Sequence, residues 1–136
     1  MFKPKRFDSG RLERIPAKAS ITFTKGNALK NDSGYLTNSA SGDNTDVQYI
    51  AWEDKVTSAT DGDLLLVYRI VGGVQLEVDT SNTPTQAQAL VAVDLSAAGT
   101  IDTSATTDAV FFVEKFKLPL SDKKAIGHFV GGVINS

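Results

Sequence analysis

Apolar residues in this chain fall in short runs, mostly β-branched or aromatic, and turn-forming residues fence each run. Residues 19–24 alternate Ile21 and Phe23 with Ser20, Thr22 and Thr24, the two-residue period of a half-buried strand. Asn31-Asp32-Ser33-Gly34 predicts a turn, with Gly34 free to take a positive φ and Asp32 able to bond its own backbone. Extended chain resumes at Tyr35-Leu36-Thr37, and residues 47–52 predict another strand after a polar loop. Residues 63–71 are almost continuously apolar, as a central strand buried on both faces would be. Gly72-Gly73 joins that run to Val74-Gln75-Leu76-Glu77-Val78, and a two-residue glycine link predicts a hairpin. Further strands are expected at residues 90–95, 109–116 and 128–134, the last broken by Gly131-Gly132 at a bulge or a close backbone approach. Residues 85–90, following Pro84, allow one or two turns of helix. About seven to nine short strands at intervals of roughly ten residues predict an all-β fold, a small barrel or sandwich.

Charge changes this picture at one end. Residues 1–18 carry six cations (Lys3, Lys5, Arg6, Arg11, Arg14, Lys18) and two anions (Asp8, Glu13), a balance of +4. The whole chain has 14 Lys plus Arg and 16 Asp plus Glu, so residues 19–136 hold 8 and 14, a balance of −6. Pro4, Gly10 and Pro16 interrupt the basic segment, and Phe2, Phe7, Leu12 and Ile15 keep no sustained period. Such a segment buries too little by itself to offset the entropy of ordering it. The expected organisation is therefore an extended basic arm, residues 1–18, followed by a β-body, residues 19–136. Three readings of the arm stand side by side. Cations could neutralise phosphates, but dense Lys/Arg blocks and a basic β-face are missing. The arm could be a plain disordered terminus. Or it could lie along an acidic protein surface, its apolar residues seated in pockets and its arginines paired with carboxylates. The third is the expectation, with Phe2, Lys3, Lys5, Arg6, Phe7, Arg11, Leu12, Arg14 and Ile15 as the partner-binding residues.

Candidate chemistry is sparse. There is no cysteine, which removes disulfides and thiolate metal sites from consideration. No apolar run approaches the ~20 residues of a membrane span, and the charged N-terminus has no apolar signal core, so a soluble product made inside the cell is expected. The single histidine, His128, lacks a nucleophile in any recognisable motif and is read as structural. Gly72-Gly73 and Gly131-Gly132 lack the helix that phosphate binding requires. Asp43 with Asp46, and Asp54 with Asp61 and Asp63, could suggest calcium, but their spacing is not that of an EF-hand and they read as solvated turn carboxylates. Asn31-Asp32-Ser33 matches a glycosylation acceptor that has no secretory context. Trp52 and Tyr68 lie inside apolar runs and are read as core, as are Leu65, Val67, Phe112 and Phe129. No enzyme, cofactor or metal is expected.

Several phrases in the body carry a resemblance: Lys25-Gly26-Asn27-Ala28-Leu29, then Asp32-Ser33-Gly34-Tyr35, then Ala51-Trp52-Glu53-Asp54, and finally residues 127–133, Gly-His-Phe-Val-Gly-Gly-Val. In their order and rhythm, residues 19–136 resemble the small capsid decoration (cement) proteins of tailed bacteriophages and related phage β-barrel proteins. The arm has no counterpart motif. The resemblance implies a non-enzymatic virion protein, made in the host cytoplasm, that binds the outer surface of the capsid and reinforces contacts between major capsid protein subunits. It also implies self-association, with a trimer as the expected form, and neither nucleic acid nor membrane as a partner. A neck, tail or head-fibre component, and a host- or carbohydrate-binding β-module, stand as alternatives.

Overall fold

The computed structural model describes residues 1–130, and the fold is all-β. Thirteen strands are present among the described residues: β1 (Lys3–Pro4), β2 (Leu12–Ala17), β3 (Thr22–Phe23), β4 (Leu29–Asp32), β5 (Tyr35–Asn38), β6 (Tyr49–Ala51), β7 (Lys55–Val56), β8 (Asp63–Arg69), β9 (Leu76–Thr80), β10 (Ala92–Ala97), β11 (Thr100–Asp102), β12 (Phe111–Phe116) and β13 (Lys124–Phe129). Three single 3-10 turns complete the regular structure, at Ser9–Arg11, Gln86–Gln88 and Leu120–Asp122. The middle one lies where helix was allowed.

One sheet runs β1-β9-β11-β10-β12-β13, and β9 also pairs with β13. Strands β9, β11, β10, β12 and β13 thereby close into a five-stranded barrel, which leaves those strands no free edge. A second five-stranded sheet runs β4-β5-β2-β8-β6, and its end strands meet again at an isolated Ala28–Ile50 bridge. The β3–β7 pair forms a small third sheet. Each large sheet has its own core. Leu76, Val78, Val93, Leu95, Ile101 and Phe111 fill the closed barrel, with Ile50 and Tyr68 from the second sheet packed onto them. Phe23, Leu29, Leu36, Leu65 and Val67 fill the second.

The first eighteen residues are not an arm, and the expected boundary at residue 18 does not hold. Strand β2 sits between β5 and β8 and pairs with β8 over its whole length, from Leu12 opposite Tyr68 to Ala17 opposite Asp63. Phe2 is fully buried in the first core. Neither fact shows in a local reading, because β2 contains Pro16 and two adjacent charges, Glu13 and Arg14, and lacks a clean period. It is stable as the partner of the apolar β8, a long-range pairing that local composition does not report.

Gly72-Gly73 is not a hairpin link either. Strands β8 and β9 belong to different sheets, so the glycines, at φ of 102° and 83°, turn the chain from the second sheet to the closed barrel. The Asn31–Gly34 turn does form: Ser33 and Gly34 take φ of 55° and 93°, although the capping side chain is Asn31, which accepts a bond from the Gly34 amide, not Asp32. Of the expected core residues, Leu65 and Val67 are buried, Phe129 is half-buried and packs on the core, and Phe112 points the other way. Phe111 and Val113 take the inward positions of β12, so the strand's register is one residue from the expected one. The expected Gly131-Gly132 bulge lies outside the described residues.

Candidate docking surface

Residues 5–11 cross from β1, on the closed barrel, to β2, in the second sheet. They are pinned there by backbone-directed bonds. Asp8 caps Gly10 (2.9 Å) and its own amide donates to the Tyr68 hydroxyl (2.9 Å). Arg11 donates to the carbonyls of Arg69 (3.1 Å) and Val71 (2.9 Å), which would otherwise be left open as β8 ends. With the backbone held, Phe7 projects to the surface and stays 52% exposed. Its ring stacks on Trp52 with centres 5.7 Å apart and lies 5.5 Å from Tyr68. The Lys25 ammonium stands 4.4 Å from the centre of the Trp52 ring, a cation–π contact. A shallow groove of about 600 Å³ runs alongside, lined by Arg6, Phe7, Asp8, Arg11, Tyr68 and Val74 among others. Val71, 54% exposed, lies two residues beyond the end of β8.

This face continues along the outside of β2 and β8. The register sets Arg14 beside Leu66 and Pro16 beside Leu64 on the same side as Leu12 and Tyr68. Leu64 is 48% exposed. Arg14 lies 3.9 Å from Glu53, whose carboxylate also accepts from the Leu66 amide at 2.7 Å.

The expected partner-binding residues therefore separate into four groups. Phe2 is in the core and unavailable for docking. Leu12 and Ile15 are half-buried against the first and second cores, and Arg11 is spent on carbonyls. Lys5 and Arg14 are exposed but face Glu77 (3.8 Å) and Glu53. Lys3, Arg6 and Phe7 remain exposed. The sequence reading missed that Trp52 and Lys25 join Phe7. It placed Trp52 in the core, and only half of that holds, whereas Tyr68 is fully buried as expected. The local signal was Phe7 itself, an aromatic residue just ahead of the turn-forming Asp8-Ser9-Gly10.

Elsewhere the charged groups are engaged in holding loops. Asp43 binds Lys30 (2.8 Å) and the Ala40 amide (2.7 Å), Asp54 the Lys25 amide (2.8 Å), and Asp61 the Ala19 amide (2.8 Å). Asp63 binds the Ser58 amide at 2.7 Å, and that bond above all holds its pKa below the ordinary carboxylate value. These are the turn carboxylates the spacing suggested, and among the described residues no group of three or more His, Cys, Asp or Glu could hold a metal. His128, read from the sequence as structural, has a carboxylate partner. Its Nδ1 lies 2.8 Å from Glu114, which also accepts from Gln75 at 3.0 Å, and the His128 bond holds Glu114 below its ordinary pKa. Among the described residues the pair's hydrogen bonds run on only to Gln75.

No protein-family model and no curated protein matches the chain.

Proposed function

We propose that this protein is a structural component of a phage virion: a decoration protein that binds the outer surface of the capsid and reinforces contacts between major capsid protein subunits. The observation that carries the reading is the half-exposed Phe7 stacked on Trp52, with Arg6 and Lys25 beside it. Aromatic and arginine side chains on a pinned backbone are what interface hot spots are made of, because little side-chain freedom is lost on docking. The exposed Leu64 and Val71 extend the same face. The body, a closed barrel beside a second five-stranded sheet, supports the reading in a second way. A reinforcing subunit must carry load between its contacts, and the N-terminal segment ties the two large sheets together by pairing with a strand of each. Many such subunits on one shell act multivalently, so modest single contacts become durable, and self-association into trimers would add to this.

The test is co-sedimentation with empty capsid shells. The parent protein is expected to pellet with shells at saturable stoichiometry, and Phe7→Ala to weaken attachment while leaving the β-type circular dichroism unchanged. Parent protein that stays in the supernatant at every concentration would overturn the reading.

A further inference from the structure

Strand β10 is entered through a bulge. The Leu90 amide donates to the Val113 carbonyl of β12 at 2.7 Å, and the Val113 amide donates in turn to the Val91 carbonyl at 3.0 Å. Two residues thus stand against one, in the pattern whose first position is left-handed and ordinarily glycine. Here it is leucine, at φ of 62°. A Cβ is crowded by the following carbonyl oxygen in that conformation, and a bulky apolar side chain there is an outlier. The other non-glycine residues with a positive φ among the described ones, Ser20, Ser33 and Lys123, are all polar. Nor does the side chain help the fold. Leu90 is 70% exposed and belongs to neither core, although Ala89 and Val93 on either side of it pack into the first. Val91 beside it is exposed as well.

Glycine at this position would relieve the backbone, and a polar residue would suit the water; leucine does neither. Departures of this kind concentrate where a protein binds or reacts. We propose that Leu90, presented by the bulge, is a second docking contact that seats in an apolar hollow on the major capsid protein. The inference rests on the capsid reading above, and its position supplies what that reading needs. The Phe7 cluster lies on Trp52 and Tyr68, beside and within the second sheet. The Leu90 bulge is built on β10 and β12 of the closed barrel. Reinforcing a joint between subunits requires a grip at two separate places, and the two large sheets carry one each.

A single substitution separates folding from attachment. Leu90→Gly is expected to leave Tm level or to raise it by about 2 °C, because the left-handed side chain is relieved. The same variant is expected to bind empty capsid shells about ten-fold more weakly, as loss of one buried apolar anchor would dictate. Leu90→Met, apolar and of similar size, is expected to co-sediment as the parent does. If Leu90→Gly binds shells as tightly as the parent, Leu90 is not a contact and the capsid reading survives. A Tm lowered by more than about 5 °C in Leu90→Gly also overturns the inference, because Leu90 would then be a structural residue. If the parent protein does not bind shells at all, both fall.

Discussion

Phe2 has no solvent exposure, and its ring centre lies 5.6 Å from that of Phe111 and 4.8 Å from that of Phe129. Phe2→Ala is expected to cost about 3–5 kcal/mol, the range for removing a large aromatic side chain from a packed core. Phe112→Ala, on the outer side of β12 beside His128, should cost clearly less. Urea denaturation midpoints of the two variants check the order, and equal losses would contradict it. Ionisable residues give a second prediction. Glu114 lies below its ordinary pKa through the bond with His128; Asp79 does so because Lys124 and the N-terminal ammonium outweigh its burial; Asp63 does so through the Ser58 amide. A depressed folded-state value means the stability is present above the unfolded value of about 4 and is lost as pH falls through the folded one. Asp94 runs the other way. Burial, and then Asp108 and Asp102, raise its pKa, although the Asp108 amide bond opposes this. Its ionised form therefore costs stability at neutral pH, and that cost disappears in acid. Tm should fall below about pH 4. Asp94→Asn keeps an acceptor for the Asp108 amide, 2.8 Å away, so it should hold or raise Tm at pH 7, with the difference from the parent vanishing in acid.

Strand β2 decides what truncation does. It is an interior strand with β8 on one side and β5 on the other, so removing residues 1–18 takes out a load-carrying strand and both of its ladders. The body should then lose its fold, seen as loss of near-ultraviolet circular dichroism and of dispersed amide resonances. Removing residues 1–4 is a milder change. The closed barrel keeps every one of its five walls without β1, so a destabilised fold lacking the Phe2 plug is expected. These contrasts also measure what the sequence made legible. Strands with a strong period or a continuous apolar run were readable: β8 and β12 lie within the stretches where the pattern placed them, and β5 resumes after the expected turn at Asn31–Gly34. Strand β2 was not, because its stability comes from a partner about fifty residues away. Nor was the Gly72-Gly73 crossing, since a glycine pair permits a tight turn without saying which sheet receives the chain. Gly127 shows the same limit: a Cβ there would sit 1.9 Å from the Phe112 carbonyl oxygen, a demand for glycine set by tertiary packing alone. The site was legible in part. Basic and aromatic residues near the N-terminus pointed to a surface for docking, while the partnership of Phe7 with Trp52 and Lys25 needed three separate segments to meet.

At the scale of the whole molecule, charge and apolar contact make different claims on attachment, and salt separates them. The cations of the N-terminal segment are largely exposed, and those that pair do so at the surface: Lys5 with Glu77 at 3.8 Å, Arg14 with Glu53 at 3.9 Å. Exposed ion pairs contribute at most about 1 kcal/mol each, and at roughly 0.15 M salt they are screened over about 8 Å. Stacked aromatics and exposed aliphatic side chains are indifferent to that screening. On the proposed reading, raising salt from low to moderate should therefore weaken co-sedimentation with shells without abolishing it, and the residual binding should vanish in Phe7→Ala. Charge reversal at Arg6 should reduce binding at low salt and leave the salt-resistant part in place. Lys123→Ala, a change far along the chain at an exposed turn, should do neither. Complete release of the parent protein in moderate salt would instead mark a purely electrostatic contact, one in which Phe7, Trp52 and the exposed leucine play no part.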